Sequence, residues 1–202
     1  MRVVLASKSE ARRRVLRDAG IEADVVISGF DESAVRDPSP TALCARLAEA
    51  KGLTVAEQLT DDNVVVLAAD TVMEIEGKAR GKPRTPEAAF KLWQRMRGHT
   101  AVIHTGHFVL VRRGGHDEHS TQIRSTTVNF ADLSDEEIAA YIATGEPVNV
   151  AGGFSINRLG GAFVTALNGD PFNVVGISLP LVRQMLIDFD VPWHTLWQAP
   201  SQ

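Results

Sequence analysis

The sequence predicts an α/β fold in a single domain over residues 1–202: a mixed, twisted sheet with flanking helices and a long β-hairpin, arranged as two lobes around a central crevice. Three observations predict it. Strand-like runs and helical segments come in mixed order, with both crossovers and a hairpin. The run VVVLAA at 64–69 is continuously apolar, which suits a strand buried on both faces. Two long strand-like runs, 99–113 and 117–130, meet at Gly114-Gly115, which reads as a hairpin turn. At 202 residues, 44% of them hydrophobic and 23% charged, the chain can close a real core without disulfide staples.

Each element has a local cause. A short apolar strand at 2–6 leads through the polar loop Ser7-Lys8-Ser9 into a helix that Ser9 caps and Gly20 terminates. A second strand is expected at 23–28, followed by an acidic loop over 29–37. Ser39-Pro40 then supplies a cap and a first-turn proline for the next helix. The strand at 64–69 is expected to end at Asp70-Thr71. After a turn at Gly77-Lys78, Arg80-Gly81-Lys82-Pro83-Arg84 forms an irregular basic loop. Thr85-Pro86 opens a helix with Ala89, Trp93 and Met96 on one face, closed by Gly98. Ser134 and Glu137 have capping-box spacing, which predicts a helix over 135–143 ended by Gly145. A glycine-rich irregular stretch over 152–161, a strand at 163–167 and a helix at 181–188 complete the chain.

Composition narrows the function. A net charge of -4 and a pI near 5.9 give no whole-surface attraction for nucleic acid, so any phosphate site must be local. The single cysteine, Cys44, allows no disulfide framework and fits a reducing cytoplasm. The opening MRVVLASKSEARRR has its charges on the wrong side of its apolar run for a secretion signal. The longest apolar runs are too short to span a bilayer. The expectation is a cytoplasmic protein with neither membrane nor nucleic-acid partners.

Several residues could carry chemistry. A polar loop delivered onto a helix start makes an anion site, because unpaired amides and the helix dipole both favour negative charge. Ser7 and Ser9 lie in that loop. Arg12, one turn before Leu16, can either reach into a pocket or join Arg13, Arg14 and Arg17 on a solvated face. Lys51 interrupts the apolar row of Leu47 and Val55, so it must snorkel to the edge or find an anion. Asp70, at the exit of a buried strand, lies where open sheets place ligand crevices, or else caps the next turn. Lys82 sits near Gly77 and Gly81, but the spacing is too short for a Walker loop and Pro83 replaces the hydroxyl residue. Cys44, between Leu43 and Leu47, reads as a buried thiol. His99, His104 and His107 lie three or five apart, so in a strand His104 shares a face with neither neighbour, which argues against zinc. A hard divalent ion better suits Asp70 with Glu32 or Asp31, although that acidic loop could equally be a solvated turn.

Together LASKSEARRRVL at 5–16, AADT at 68–71, GKP at 81–83, GEPVNVAGGFSINRLGGAFV at 145–164 and NGDPFNVVGISLPLV at 168–182 resemble the Maf family of nucleoside triphosphate pyrophosphatases over nearly the full chain. The resemblance implies a cytoplasmic hydrolase that cuts a nucleoside triphosphate between its α and β phosphates with a divalent cation, Mg2+ or Mn2+. It implies Asp70 as the proton acceptor for water, Ser9, Arg12, Lys51 and Lys82 as phosphate-facing groups, and Glu32 as an acidic site residue; with the reading of the acidic loop above, Glu32 and Asp70 are the expected metal pair. It also places Arg12, Thr71 and Asn157 where base choice is tuned, and it implies a possible homodimer. The chain departs from the family's usual pattern in Ser9-Glu10-Ala11-Arg12, which lacks a proline and an arginine. Further departures are Asn149-Val150, Ser155, and Asn157 in place of a glutamine, so base preference does not carry over. A nucleotide-binding regulator of cell division without turnover is the rival reading.

Overall fold

The computed structural model describes residues 1–198. Within them the strands are β1 (Arg2–Leu5), β2 (Asp24–Val25), β3 (Asn63–Ile75), β4 (Lys78–Arg80), β5 (Thr100–Arg113), β6 (His116–Phe130) and β7 (Val164–Asn168). The helices are α1 (Glu10–Asp18), α2 (Pro40–Ala56), α3 (Pro86–Met96), α4 (Asp135–Ala143), α5 (Glu146–Asn149), α6 (Pro171–Val175) and α7 (Leu179–Asp188). They form one mixed seven-stranded sheet in the order β2-β1-β3-β5-β6-β7, with β4 also paired to β3. Pairings β1–β2 and β1–β3 are parallel, and the others are antiparallel.

Local signals set the helix starts. Ser9, Ser39, Thr85 and Ser134 each accept a hydrogen bond from a first-turn amide, and Ser134 with Glu137 closes a full capping box. The hairpin between β5 and β6 turns at Gly114 and Gly115, both with positive φ. The strand expected at 23–28 shrinks to Asp24–Val25, because β1 offers a partner only as far as Leu5. Two short helices, α5 and α6, and the small strand β4 carry too few residues for a periodic pattern to show.

The larger correction concerns β3. It does not stop at Ala69: β5 pairs with it without a break from Asn63 to Glu74, through Asp70↔Gly106 and Thr71↔Thr105. Asp70 therefore stands in mid-strand and caps nothing. The interruption lies on the other edge. There β1 pairs with β3 only up to Leu67, and β4 begins only at Met73. Residues 68–72 have neither neighbour along that edge, an opening of roughly 13 Å at the usual rise per residue.

Alternation along β3 divides the core around this opening. Val65 and Leu67 join Leu16 of α1 and Met185 and Leu186 of α7 on one face; Val64, Val66 and Ala68 join Ala48 and Val55 of α2 on the other. Beyond the opening, Met73 and Ile75 enter a separate cluster around Trp93, Tyr141 and Phe130. These cores make two lobes threaded by the same long strands, and Asp70-Thr71 lies where one lobe gives way to the other.

Candidate active site

Neighbouring residues on a strand point to opposite faces, so Asp70 and Thr71 meet different helices. Asp70 faces α2. Its Oδ1 accepts from Lys51 Nζ at 2.5 Å, and the same ammonium lies 2.7 Å from Glu32 Oε1. Lys51 thus found anions instead of snorkelling. Its reach depends on how closely α2 lies on the sheet. A Cβ on Gly106, opposite Asp70, would collide with the Cys44 carbonyl, and one on Gly52 with the Phe108 ring. Two missing side chains let the helix settle far enough to deliver the lysine.

Charge around Asp70 is finely opposed. Burial pushes its carboxyl above the ordinary range, Lys51 and Arg12 pull it down, and Glu32 adds to the rise. Glu32, more exposed, is held low chiefly by the Lys51 hydrogen bond, with further help from Lys8 and Lys82. Lys8 leaves the end of β1 and Lys82 the end of β4, so cations arrive from both rims of the sheet opening. Lys8 carried no sequence signal, being one exposed lysine in a short loop.

Thr71 faces α1 and meets a different kind of group. Arg12 donates from Nη2 to Thr71 Oγ1 at 3.0 Å, from Nη1 to Ser7 Oγ at 3.0 Å and from Nε to the Gly176 carbonyl at 2.7 Å. Burial lowers its pKa, though guanidinium stays charged in proteins. Gly176 has φ of 113°, and a Cβ there would lie 3.0 Å from Arg12 Nε and 3.2 Å from Thr71 Oγ1. Thr71 Oγ1 lies 3.0 Å from Thr105 Oγ1, which donates to the Asn173 carbonyl at 3.1 Å. Arginine can only donate, so the protons run one way, from Arg12 to Thr71, to Thr105, to the backbone of α6.

Ser9 Oγ accepts from the Arg12 amide at 3.4 Å, and Ser7 Oγ accepts from the Ser9 amide at 3.2 Å. Two amides at the start of α1 are thus engaged within the chain. Ser7, Ser9, Arg12 and Thr71 form one network; Glu32, Lys51 and Asp70 form a second beside it. Lys82 joins the second through its field on Glu32. Asn157 is exposed, its amide oxygen accepting from Ser155 Oγ at 3.0 Å, and no hydrogen bond among the described residues ties it to either network. Pattern reading missed Thr105 and Gly176, whose roles rest on partners far away in sequence.

The other singled-out residues have separate surroundings. Burial pushes the Cys44 thiol up to about 12, so it is a poor nucleophile. His104 lies against Ser125 Oγ at 2.7 Å and Glu74 Oε2 at 3.1 Å, while His107 Nε2 accepts from the Ser178 amide at the start of α7 at 2.7 Å. Among the described residues no three potential metal-ligating side chains converge. Glu32 and Asp70 are the pair available to a hard cation, which would need oxygens from a ligand to complete its shell. Magnesium commonly binds in that manner, through one or two carboxylates and substrate phosphates. The donor chemistry therefore fits such an ion.

An open mixed sheet, interrupted beside a buried carboxylate with lysines on both rims of the interruption, defines an α/β protein with a cationic opening along one strand edge. The chain belongs to the Maf-like protein family, whose family model matches residues 2–189. It is 51% identical to a nucleoside triphosphate pyrophosphatase of Cutibacterium acnes, covering 98% of this chain and 95% of that protein. Proteins of the same name from Salinispora tropica and Streptomyces coelicolor are 46% and 42% identical, covering 98% and 100% of this chain and 88% and 96% of theirs. Among the described residues no helix is long and apolar enough to cross a membrane.

Proposed function

We propose that the protein is a nucleoside triphosphate pyrophosphatase, a hydrolase that converts a nucleoside triphosphate to its monophosphate and pyrophosphate in a house-cleaning role. The observation that carries this reading is the buried Asp70–Lys51 pair in the sheet opening, with the exposed Glu32 on the same ammonium and Lys8 and Lys82 on the two rims. Relatives of that name along the full chain support it.

In this mechanism the triphosphate lies along the open edge of β3. Lys8, Lys51 and Lys82 offset the charge that spreads over the phosphoryl oxygens in the transition state. Asp70 accepts a proton from a water that adds to the α-phosphorus, while the bond from that phosphorus to the α–β bridging oxygen breaks. Pyrophosphate leaves with the bond's electron pair. A divalent cation such as Mg2+ or Mn2+, bound with the substrate at Glu32 and Asp70, would supply further charge neutralisation. Arg12 and Thr71 build the wall on the other side, and Asn157 is assigned to the base end of the ligand by resemblance.

The test is a panel of natural and modified nucleoside triphosphates incubated with the protein and magnesium, with products separated. The expected result is equimolar monophosphate and pyrophosphate from at least one substrate. Tight nucleotide binding with no product from any of them would overturn hydrolysis and leave a binding protein.

A further inference from the structure

A group already stands between the two carboxylates that a metal would use. Lys51 Nζ lies within hydrogen-bond distance of both, 2.7 Å from Glu32 Oε1 and 2.5 Å from Asp70 Oδ1. An ammonium there occupies the position that a divalent cation bridging the pair would take, and supplies a single positive charge in place of two. Its side chain is 12% exposed, and the close seating of α2 over Gly106 keeps the helix that carries it against the sheet.

The charges of the free cleft lead to the same place. Glu32 and Asp70 are offset by Lys51 and Arg12, the cations acting on Asp70. Lys8 and Lys82, which act on Glu32, add positive charge to the same group. A bare dication entering this field meets repulsion and an occupied position. A polyanion meets attraction, and its phosphate oxygens are better partners for Lys51 than a carboxylate that is also turning toward a metal.

We propose that Lys51 is a resident stand-in cation: it holds Glu32 and Asp70 in the free protein and excludes bare divalent metal, so that metal enters only as its complex with the triphosphate, to whose oxygens Lys51 then transfers. The identity of the incoming polyanion rests on the hydrolase reading, but the exchange does not require turnover.

The experiment dialyses the intact protein to equilibrium against Mn2+ alone, and against Mn2+ with an α,β-methylene-bridged nucleoside triphosphate, and reads the Mn2+ held in excess on the protein side. Wild type should take up Mn2+ only with the analogue present. Lys51→Met should bind Mn2+ alone at least about tenfold more tightly than wild type, since a repelling charge at contact range is gone. That gain should vanish in Lys51→Met/Asp70→Asn. Lys51→Gln serves as the second variant, with circular dichroism confirming that each variant is folded. Wild type binding Mn2+ alone as tightly as Lys51→Met, or a Lys51 variant that gains nothing, would overturn the proposal. Wild type that does so while still releasing pyrophosphate overturns only the stand-in role. Wild type that takes up no Mn2+ with the analogue and releases no pyrophosphate overturns both readings.

Discussion

The two faces of β3 at residues 70 and 71 use a cation each, and use it differently. On the α2 face, Lys51 meets two carboxylates, one buried and one exposed, in a group whose charges respond to whatever enters. On the α1 face, Arg12 meets two hydroxyls and a carbonyl, with no carboxylate among its hydrogen-bond partners in the described residues. Lysine suits the first task because its point charge can move between anions, and arginine the second because its rigid fork fixes several acceptors at once. The difference teaches that adjacency in sequence joins two jobs: a reactive centre on one side and the brace that shapes its wall on the other.

Beyond Asp70 itself, the largest effect is expected at Lys51. Lys51→Met should lower kcat by about 10² to 10³, the usual result of removing one transition-state charge partner. It should also move the acid limb of the rate profile upward, because Lys51 favours ionised Asp70 and its loss raises that pKa further. Glu32→Gln removes a neighbour that raises the Asp70 pKa, and should shift the limb the opposite way. Rate profiles from pH 4 to 8, as a rough range around carboxylate and imidazole titration, would read both signs.

Arg12→Met should act chiefly on stability, by on the order of 2 kcal/mol, since three acceptors lose their donor together. Chemical denaturation would measure it, and an unchanged midpoint would sink the brace. His107 gives a smaller, pH-dependent effect. Burial pushes its imidazole down to about 3 from 6.5, so between those values the unfolded chain binds the proton and the folded protein does not. Stability should therefore fall as pH drops through that window, by up to about 1.4 kcal/mol per pH unit from this group. His107→Gln keeps an acceptor for the Ser178 amide and should flatten that slope in urea unfolding at pH 7 and pH 5. Ser9→Ala should cost about 1 kcal/mol through loss of the α1 cap, a melting shift of a few degrees.

Caps and turns were readable from the sequence because their causes are local. Ser134 and Glu137 sit three apart and act on each other's backbone, and Gly114-Gly115 turns a hairpin by itself. Lys51 was half-readable: breaking an apolar row implied a partner without naming it. Asp70 misled in position, since a polar pair after an apolar run looks like a strand end. Only the pairing partners on β5 show that the strand continues and that the opening is lateral. Arg12 and Gly176 are 164 residues apart, and no local pattern could join them. Lys8 became visible once the sheet placed the end of β1 across from the end of β4.

The central claim is that the α2 face of β3 carries the chemistry. Its most direct test is pyrophosphate release by Asp70→Asn beside calorimetric binding of an α,β-methylene triphosphate to the same variant. The account predicts a loss of at least about 10³ in kcat, as expected for a missing base, with affinity within about tenfold of wild type. Turnover at the wild-type rate in that variant would contradict it.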